Sequence, residues 1–263
     1  MQQAAQGTMG SHETMNIGAQ RRNWPEAFRA VRKLLANPDD TTQVFRVMAA
    51  LNAGTAQRNY HRLLQTPQGG AIAYRRVELV TRLTDPKFLA QFAPGTVGAA
   101  YRTFLAKTGF SADGLAAVSE EVHGDRVMEH PYAWFGRRER DIHDIWHTLT
   151  GYQADDPLGE LCLVAFSYAQ TKGLGWGFIA MAGAFKSLGE KGCVSVLKAI
   201  REGYRHGRDA SWLHAEDIET LFAEPLDAAR ARLNIARPVA YEQAHAMLGA
   251  PIEAWQPAIS SAA

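Results

Sequence analysis

Glu139-Arg140-Asp141-Ile142-His143-Asp144-Ile145-Trp146-His147-Thr148-Leu149-Thr150-Gly151 reads as one helix closed by a glycine. His143 and His147 sit four positions apart, so on a helix they project from one face, one turn above the other. That spacing lets two imidazoles share one metal ion. Asp144 lies about 100° round the same helix. Glu160 follows thirteen positions after His147, beyond a break at Gly151 and Pro157. Two histidines and one carboxylate from separate helices make an open site with a second carboxylate beside it. Such a donor set suits zinc, iron or manganese. The competing reading is a buried His pair hydrogen-bonded to backbone and to Asp144. Asp144 is placed either as a ligand or as a neighbour that orients an imidazole or acts as a base. Glu139 and Asp141 are expected to be solvated first-turn acids. His123 and His130 are read as loop residues outside the ligand set.

The chain has 263 residues, 46% hydrophobic and 21% charged, which suits one globular domain with a buried core. A net charge of +1 gives no reason to expect nucleic acid as a partner. Two cysteines, Cys162 and Cys193, stand in apolar surroundings and read as reduced thiols of a cytoplasmic protein. The most apolar region, Leu174 to Leu188, includes Lys186 and is shorter than the roughly 20 residues that span a bilayer.

Helical periodicity dominates and predicts an all-α chain. Residues 1–22 read as a flexible leader, 23–237 as a helical domain and 238–263 as a tail. Asn23 with Glu26 marks a helix start, and a second helix begins at Asp40-Thr41 with Val44, Phe45, Met48 and Leu51 inward. Thr66 to Gly70 is expected to be a loop, and Tyr74 to Leu83 and Ser111 to Val122 helices. Asp156 and Pro157 start a helix whose apolar residues occupy most of its circumference, so it should be central and buried. Gly173-Leu174-Gly175-Trp176-Gly177 is read as a break before a small-residue helix. Its spacing and its position after a helix exclude a dinucleotide-binding loop. Arg201, Arg205 and Arg208 form a basic helix face able to hold a carboxylate or phosphate, although such faces are commonly just hydrated. Arg138 and Arg140, one turn before His143, are candidates for neutralising an acidic substrate. No serine-hydrolase elbow or phosphate loop occurs. The exposed amphipathic N-terminal helices are compatible with a homodimer.

These residues resemble the ubiquinone (coenzyme Q) biosynthesis protein 4 family, in a bacterial form. Its hallmark His-Asp-x-x-His, followed eleven residues later by Glu, stands here as His143-Asp144-Ile145-Trp146-His147 and then Glu160. Pro94-Gly95-Thr96-Val97-Gly98 with Tyr101, Phe104 and Leu105 is similar to a second family segment. Arg140 and the closing Glu224-Pro225-Leu226 with Arg230, Arg232, Leu233 and Ile235 also match. Here twelve residues, not eleven, separate His147 from Glu160.

The resemblance implies a divalent metal, zinc first and iron, manganese, cobalt or magnesium as alternatives, held by His143, Asp144, His147 and Glu160. It also implies work on a polyprenylated hydroxybenzoate, with a carboxylate at ring carbon 1 replaced by hydroxyl. Arg140, Tyr168, Arg201 and Arg205 are the expected substrate contacts. The alternative role is a prenyl-lipid-binding scaffold that organises other ubiquinone-biosynthesis proteins, peripheral on the inner membrane. A slot for the prenyl tail is expected between Leu161–Tyr168 and the small-residue helix Ile179–Phe185.

Overall fold

The computed structural model of the protein describes residues 21–38, 40–109, 114, 116, 117 and 130–249. Among these residues every regular element is a helix, and Thr96 and Pro225 form an isolated β-bridge. The expected all-α single domain is what the chain adopts. The helices run in order as α1 (Trp24–Ala36), α2 (Thr41–Leu51), α3 (Thr55–Leu64), α4 (Gly69–Arg75), α5 (Leu79–Leu83), α6 (Pro86–Ala90) and α7 (Val97–Thr108). They continue as α8 (Pro131–Asp141), α9 (His143–Thr150), α10 (Pro157–Thr171), α11 (Leu174–Ser187), α12 (Cys193–Asp209), α13 (Ile218–Ala223), α14 (Leu226–Arg232) and α15 (Val239–Leu248).

Local signals account for most helix starts. Asn23 Oδ1 accepts the Glu26 N–H at 3.1 Å, and Thr96 caps α7 in the same way through Ala99. In α2 the buried stripe is Gln43, Val47, Ala50 and Leu51, with Val44, Phe45 and Met48 half-buried. The stripe is therefore rotated from the expected one, because α1 and α11 lie against it from two sides.

Helix α10 is the centre of the molecule, as its sequence predicts. It buries residues around most of its circumference, from Leu158 through Cys162, Leu163 and Phe166 to Ala169. Its main partner is α12, and the contact is made by glycine. A Cβ on Gly203 would lie 2.3 Å from the Cys162 carbonyl oxygen, and one on Gly207 2.4 Å from that of Phe166. Two glycines one turn apart thus bring the two backbones into contact.

Three local expectations are corrected. Gly69 and Gly70 are helical rather than loop, because α4 buries Ile72 and Ala73 beside Leu63, Trp134 and Phe135. Tyr74 to Leu83 is not one helix: Arg76 adopts φ +43°, which ends α4 before α5 begins. Gly175 and Gly177 lie inside α11, not in a break. Helix α15, at the start of the stretch read as a tail, packs on α12 and buries Tyr241, Ala244 and His245. Cys162 is a buried free thiol, whereas Cys193 is only half-buried at the start of α12. Most of the leader, the far end of the tail, His123 and most of the Ser111–Val122 helix lie outside the described residues. No helix of the described residues is long and apolar enough to cross a membrane.

Candidate metal centre

The quoted stretch folds as two helices rather than one. Ile142 is the shared cap residue at which α8 stops and α9 starts. His143 and His147 consequently open α9, while Glu139 and Asp141 end α8. The tight end of α9 is fixed twice. Gly151, at φ +78°, returns its N–H to the His147 carbonyl. The buried Arg230 of α14 donates to the Leu149 and Thr148 carbonyls at 2.9 and 3.3 Å, a cation placed at a helix C-terminus. Across the turn, one oxygen of Asp156 accepts the Gly159 N–H at 2.6 Å, the Tyr241 hydroxyl at 3.0 Å and His245 Nε2 at 2.7 Å. That anchor sets the first turn of α10, and with it Glu160.

The result is convergence. His147 Nε2 lies 3.1 Å from Glu160 Oε1, and His143 Nε2 lies 3.8 Å from Oε2 of the same carboxylate. One donor atom from each of the three residues falls within 4.8 Å of the others. The loop of Tyr152 to Asp156 absorbs its extra residue without moving Glu160 away. His147 Nδ1 pairs with the Tyr152 carbonyl at 2.7 Å, so this nitrogen carries the proton and Nε2 is left with its lone pair. That Nε2 is buried, and the polar atom facing it is Glu160 Oε1, close enough to pair but off hydrogen-bond geometry. A lone pair facing a carboxylate in a buried site calls for a cation between them. Two imidazole nitrogens and a carboxylate therefore fit a divalent transition metal.

With no cation between them, the His147 ring and the Glu160 carboxylate stabilise each other's charge instead. Burial is the largest influence on the His147 ring and lowers its pKa, but Glu160, Asp144 and the Tyr152 carbonyl together outweigh it and lift the ring above the ordinary histidine range. Burial opposes ionisation of Glu160, yet the imidazoles, His147 foremost, hold it well below the usual carboxylate range. Asp144 is buried beside them and is not one of the three converging residues. Burial raises its pKa against the pull of both imidazoles.

The other expected contacts are placed elsewhere. Arg140 is paired with Asp141 at 2.6 Å, both buried, and Arg138 is buried with its guanidinium on the Glu216 carbonyl. Glu139 and Asp141 are therefore not solvated acids. They end α8 rather than begin the His helix, and α8 is packed over. Tyr168, two turns beyond Glu160 on α10, stacks on Tyr204. Arg201 and Arg205 are exposed on α12, whose buried side is the glycine face against α10. Leu161 packs against Gly183, so α10 and α11 meet directly where a slot was expected. His130 caps α8 through Tyr132. Sequence reasoning missed three neighbours: Trp176, whose ring lies 7° from the plane of His143; Phe104, stacked on His147; and the Tyr152 carbonyl. Only the tryptophan between two glycines carried a visible signal.

Burial pushes the Glu139 carboxyl up to about 7, against the indole of Trp176 and the nearby Arg58 and Asn59. An unfolded glutamate titrates near 4.5. Between those values the unfolded chain releases a proton that the folded chain keeps, so stability falls as pH rises, by roughly 3 kcal/mol in all. Glu139→Gln should remove this loss, so its melting advantage over the wild type grows from pH 5 to pH 8. An advantage that stays constant with pH would contradict the buried carboxyl.

Comparison with known proteins places this geometry. The model of the coenzyme Q (ubiquinone) biosynthesis protein Coq4 family matches residues 23–239. The chain belongs to this family. Among Coq4 relatives, the mitochondrial ubiquinone biosynthesis protein of Pyrenophora tritici-repentis is 32% identical over 144 residues, covering 53% of this chain and 47% of that protein. The homologue from Nematostella vectensis is 26% identical over 180 residues, 66% of this chain and 82% of the relative. The chain thus spans about half the length of the fungal relatives it matches first. A crystal structure of a Nostoc punctiforme protein assigned provisionally to ubiquinone biosynthesis superposes with a TM-score of 0.60 at 23% identity, covering 82% of this chain and 99% of that one. That likeness shows a shared fold.

Proposed function

We propose that this Coq4-family chain acts in ubiquinone biosynthesis as a metal-dependent enzyme for oxidative decarboxylation of a polyprenylated hydroxybenzoate: the bond from ring carbon 1 to the carboxylate breaks, carbon dioxide leaves, a hydroxyl takes its place, and dioxygen accepts the two electrons released. The observation that carries the reading is the buried Nε2 of His147 facing Glu160 off hydrogen-bond geometry, with His143 on the other oxygen of that carboxylate. His143, His147 and Glu160 would hold the cation. Two histidines and one carboxylate with open positions are the donor set of non-haem iron oxygenases, and a cation there would supply Lewis acidity toward the ring oxygens and, if redox-active, a route for electrons to dioxygen. The protein's own groups do the rest. The Tyr152 carbonyl keeps the proton on His147 Nδ1, leaving Nε2 for the cation. Asp144, biased by burial toward its protonated form, is the group placed to take up and return a proton beside the imidazoles. Phe104 and Trp176 flank the two rings and exclude water from their faces.

The test is quinone profiling in a strain lacking this protein and complemented with His147→Ala. Wild-type complementation should restore ubiquinone, while the variant accumulates the carboxylated polyprenyl intermediate. Normal ubiquinone with His147→Ala would remove catalysis and favour a second reading, a prenyl-lipid-binding scaffold for other ubiquinone-biosynthesis proteins. That second reading draws on the exposed apolar side chains Phe28, Met181, Phe185 and Leu188.

A further inference from the structure

The two histidines of the centre are held in different ways. His147 has its ring rotation set by the hydrogen bond from Nδ1 to the Tyr152 carbonyl. His143 has nothing comparable: its Nδ1 is buried and without a hydrogen-bond partner. The terminal torsion of a histidine is broad, so an imidazole whose Nδ1 makes no hydrogen bond needs another restraint to aim its Nε2 at a shared point. Beside the edge-on contact with the His147 ring, 5.1 Å away between centroids, the restraint on its face is Trp176. Its ring lies 7° from the imidazole plane with centroids 5.4 Å apart, an offset stack. The indole is tethered in turn, because its Nε1–H points at Glu139 Oε1, 3.4 Å away. Glu139 is largely buried and lies four positions before His143, across the break at Ile142, so the end of α8 carries the anchor of a restraint on the start of α9.

We propose that Trp176 and Glu139 are positioning residues for His143: the indole face fixes the imidazole plane, and the carboxylate fixes the indole. This rests on the reading of His143, His147 and Glu160 as a metal centre. It also gives a role to the glycine run that no nucleotide-binding motif explains. The Gly175 N–H donates to Asn52 Oδ1 at 2.8 Å, and a Cβ there would lie 2.6 Å from Met48 Sδ. A Cβ on Gly177 would press on the Tyr168 ring at 3.0 Å. With glycine on both sides, the first turn of α11 settles between α2 and α10 and presents Trp176 to His143.

The experiment is a Co²⁺ titration of the full-length, metal-stripped protein, followed by the visible d–d spectrum. The wild type should take up Co²⁺ with a defined band. Trp176→Ala and Glu139→Leu should bind about 10- to 100-fold more weakly with an altered band, the range for groups that orient a ligand. Glu139→Gln, which keeps an acceptor for the indole N–H, should stay within about threefold of wild type, and Trp176→Phe, which keeps a ring face, should lose less than Trp176→Ala. Wild-type affinity and an unchanged band in Trp176→Ala or Glu139→Leu would overturn the assignment while leaving the metal centre standing. Should Trp176→Ala fail to fold, the Glu139→Leu and Glu139→Gln pair decides. A wild type that takes up no Co²⁺ would remove the centre itself, and this assignment with it.

Discussion

Gly203→Val should leave almost no folded protein. The new side chain would have to occupy space 2.3 Å from the Cys162 carbonyl oxygen and 3.2 Å from its Cα. Both obstacles are backbone of the central helix α10, not the tip of a flexible side chain. Overpacking against side chains costs about 1–3 kcal/mol, and here the neighbour cannot swing aside. A loss of about 4 kcal/mol or more follows, a large fraction of the roughly 5–15 kcal/mol that holds a domain together. Soluble yield and a thermal melt would check it. A variant that melts within a few degrees of wild type would mean that α10 and α12 do not touch there. Because Glu160 rides on α10, the metal centre should fail with the packing.

Asp156→Ala is expected to cost about 3 kcal/mol in a urea or thermal titration. The single oxygen it removes accepts from the Gly159 N–H, the Tyr241 hydroxyl and His245 Nε2. Loss of a helix N-cap is worth about 1 kcal/mol. Two further donors, on the buried Tyr241 and His245, would be left without their acceptor, and each buried unsatisfied group adds about 1–3 kcal/mol before relaxation. Asp156→Asn keeps an acceptor oxygen and should recover much of the loss. Equal stability of the alanine and asparagine variants would show that the three-way hydrogen bond contributes nothing. The same substitution loosens the first turn of α10, so a weaker hold on any cation at Glu160 should accompany it.

What the sequence discloses about this site is what is local. His143 and His147 are one turn apart whatever surrounds them, and Asp156-Pro157 starts a helix by its own chemistry, so both could be read directly. The convergence of Glu160 was not local. It depends on Gly151 reversing the chain, on Arg230 holding the end of α9 and on Tyr241 and His245 gripping Asp156, none of which neighbours the others in sequence. The break at Ile142 was illegible for a related reason. Residues on both sides favour helix, and only the packing of α8 across α3 and α5 separates the two segments. Misplacing that break put Glu139 and Asp141 in solvent, when the first is tethered to Trp176 and the second is buried against Arg140. The glycines of α11 misled likewise: their low helix propensity is outweighed by the close contacts they permit.

Elemental analysis of the purified full-length chain, beside Glu160→Ala, addresses the metal centre most directly. Glu160 is the least buried of the three converging residues, its side chain 39% exposed, so its truncation should leave the fold intact. The account predicts close to one divalent cation per wild-type chain and a small fraction of that in the variant at an unchanged melting temperature. Wild-type protein that stays metal-free after growth in metal-replete medium, or a variant that retains the same cation in full, would contradict it.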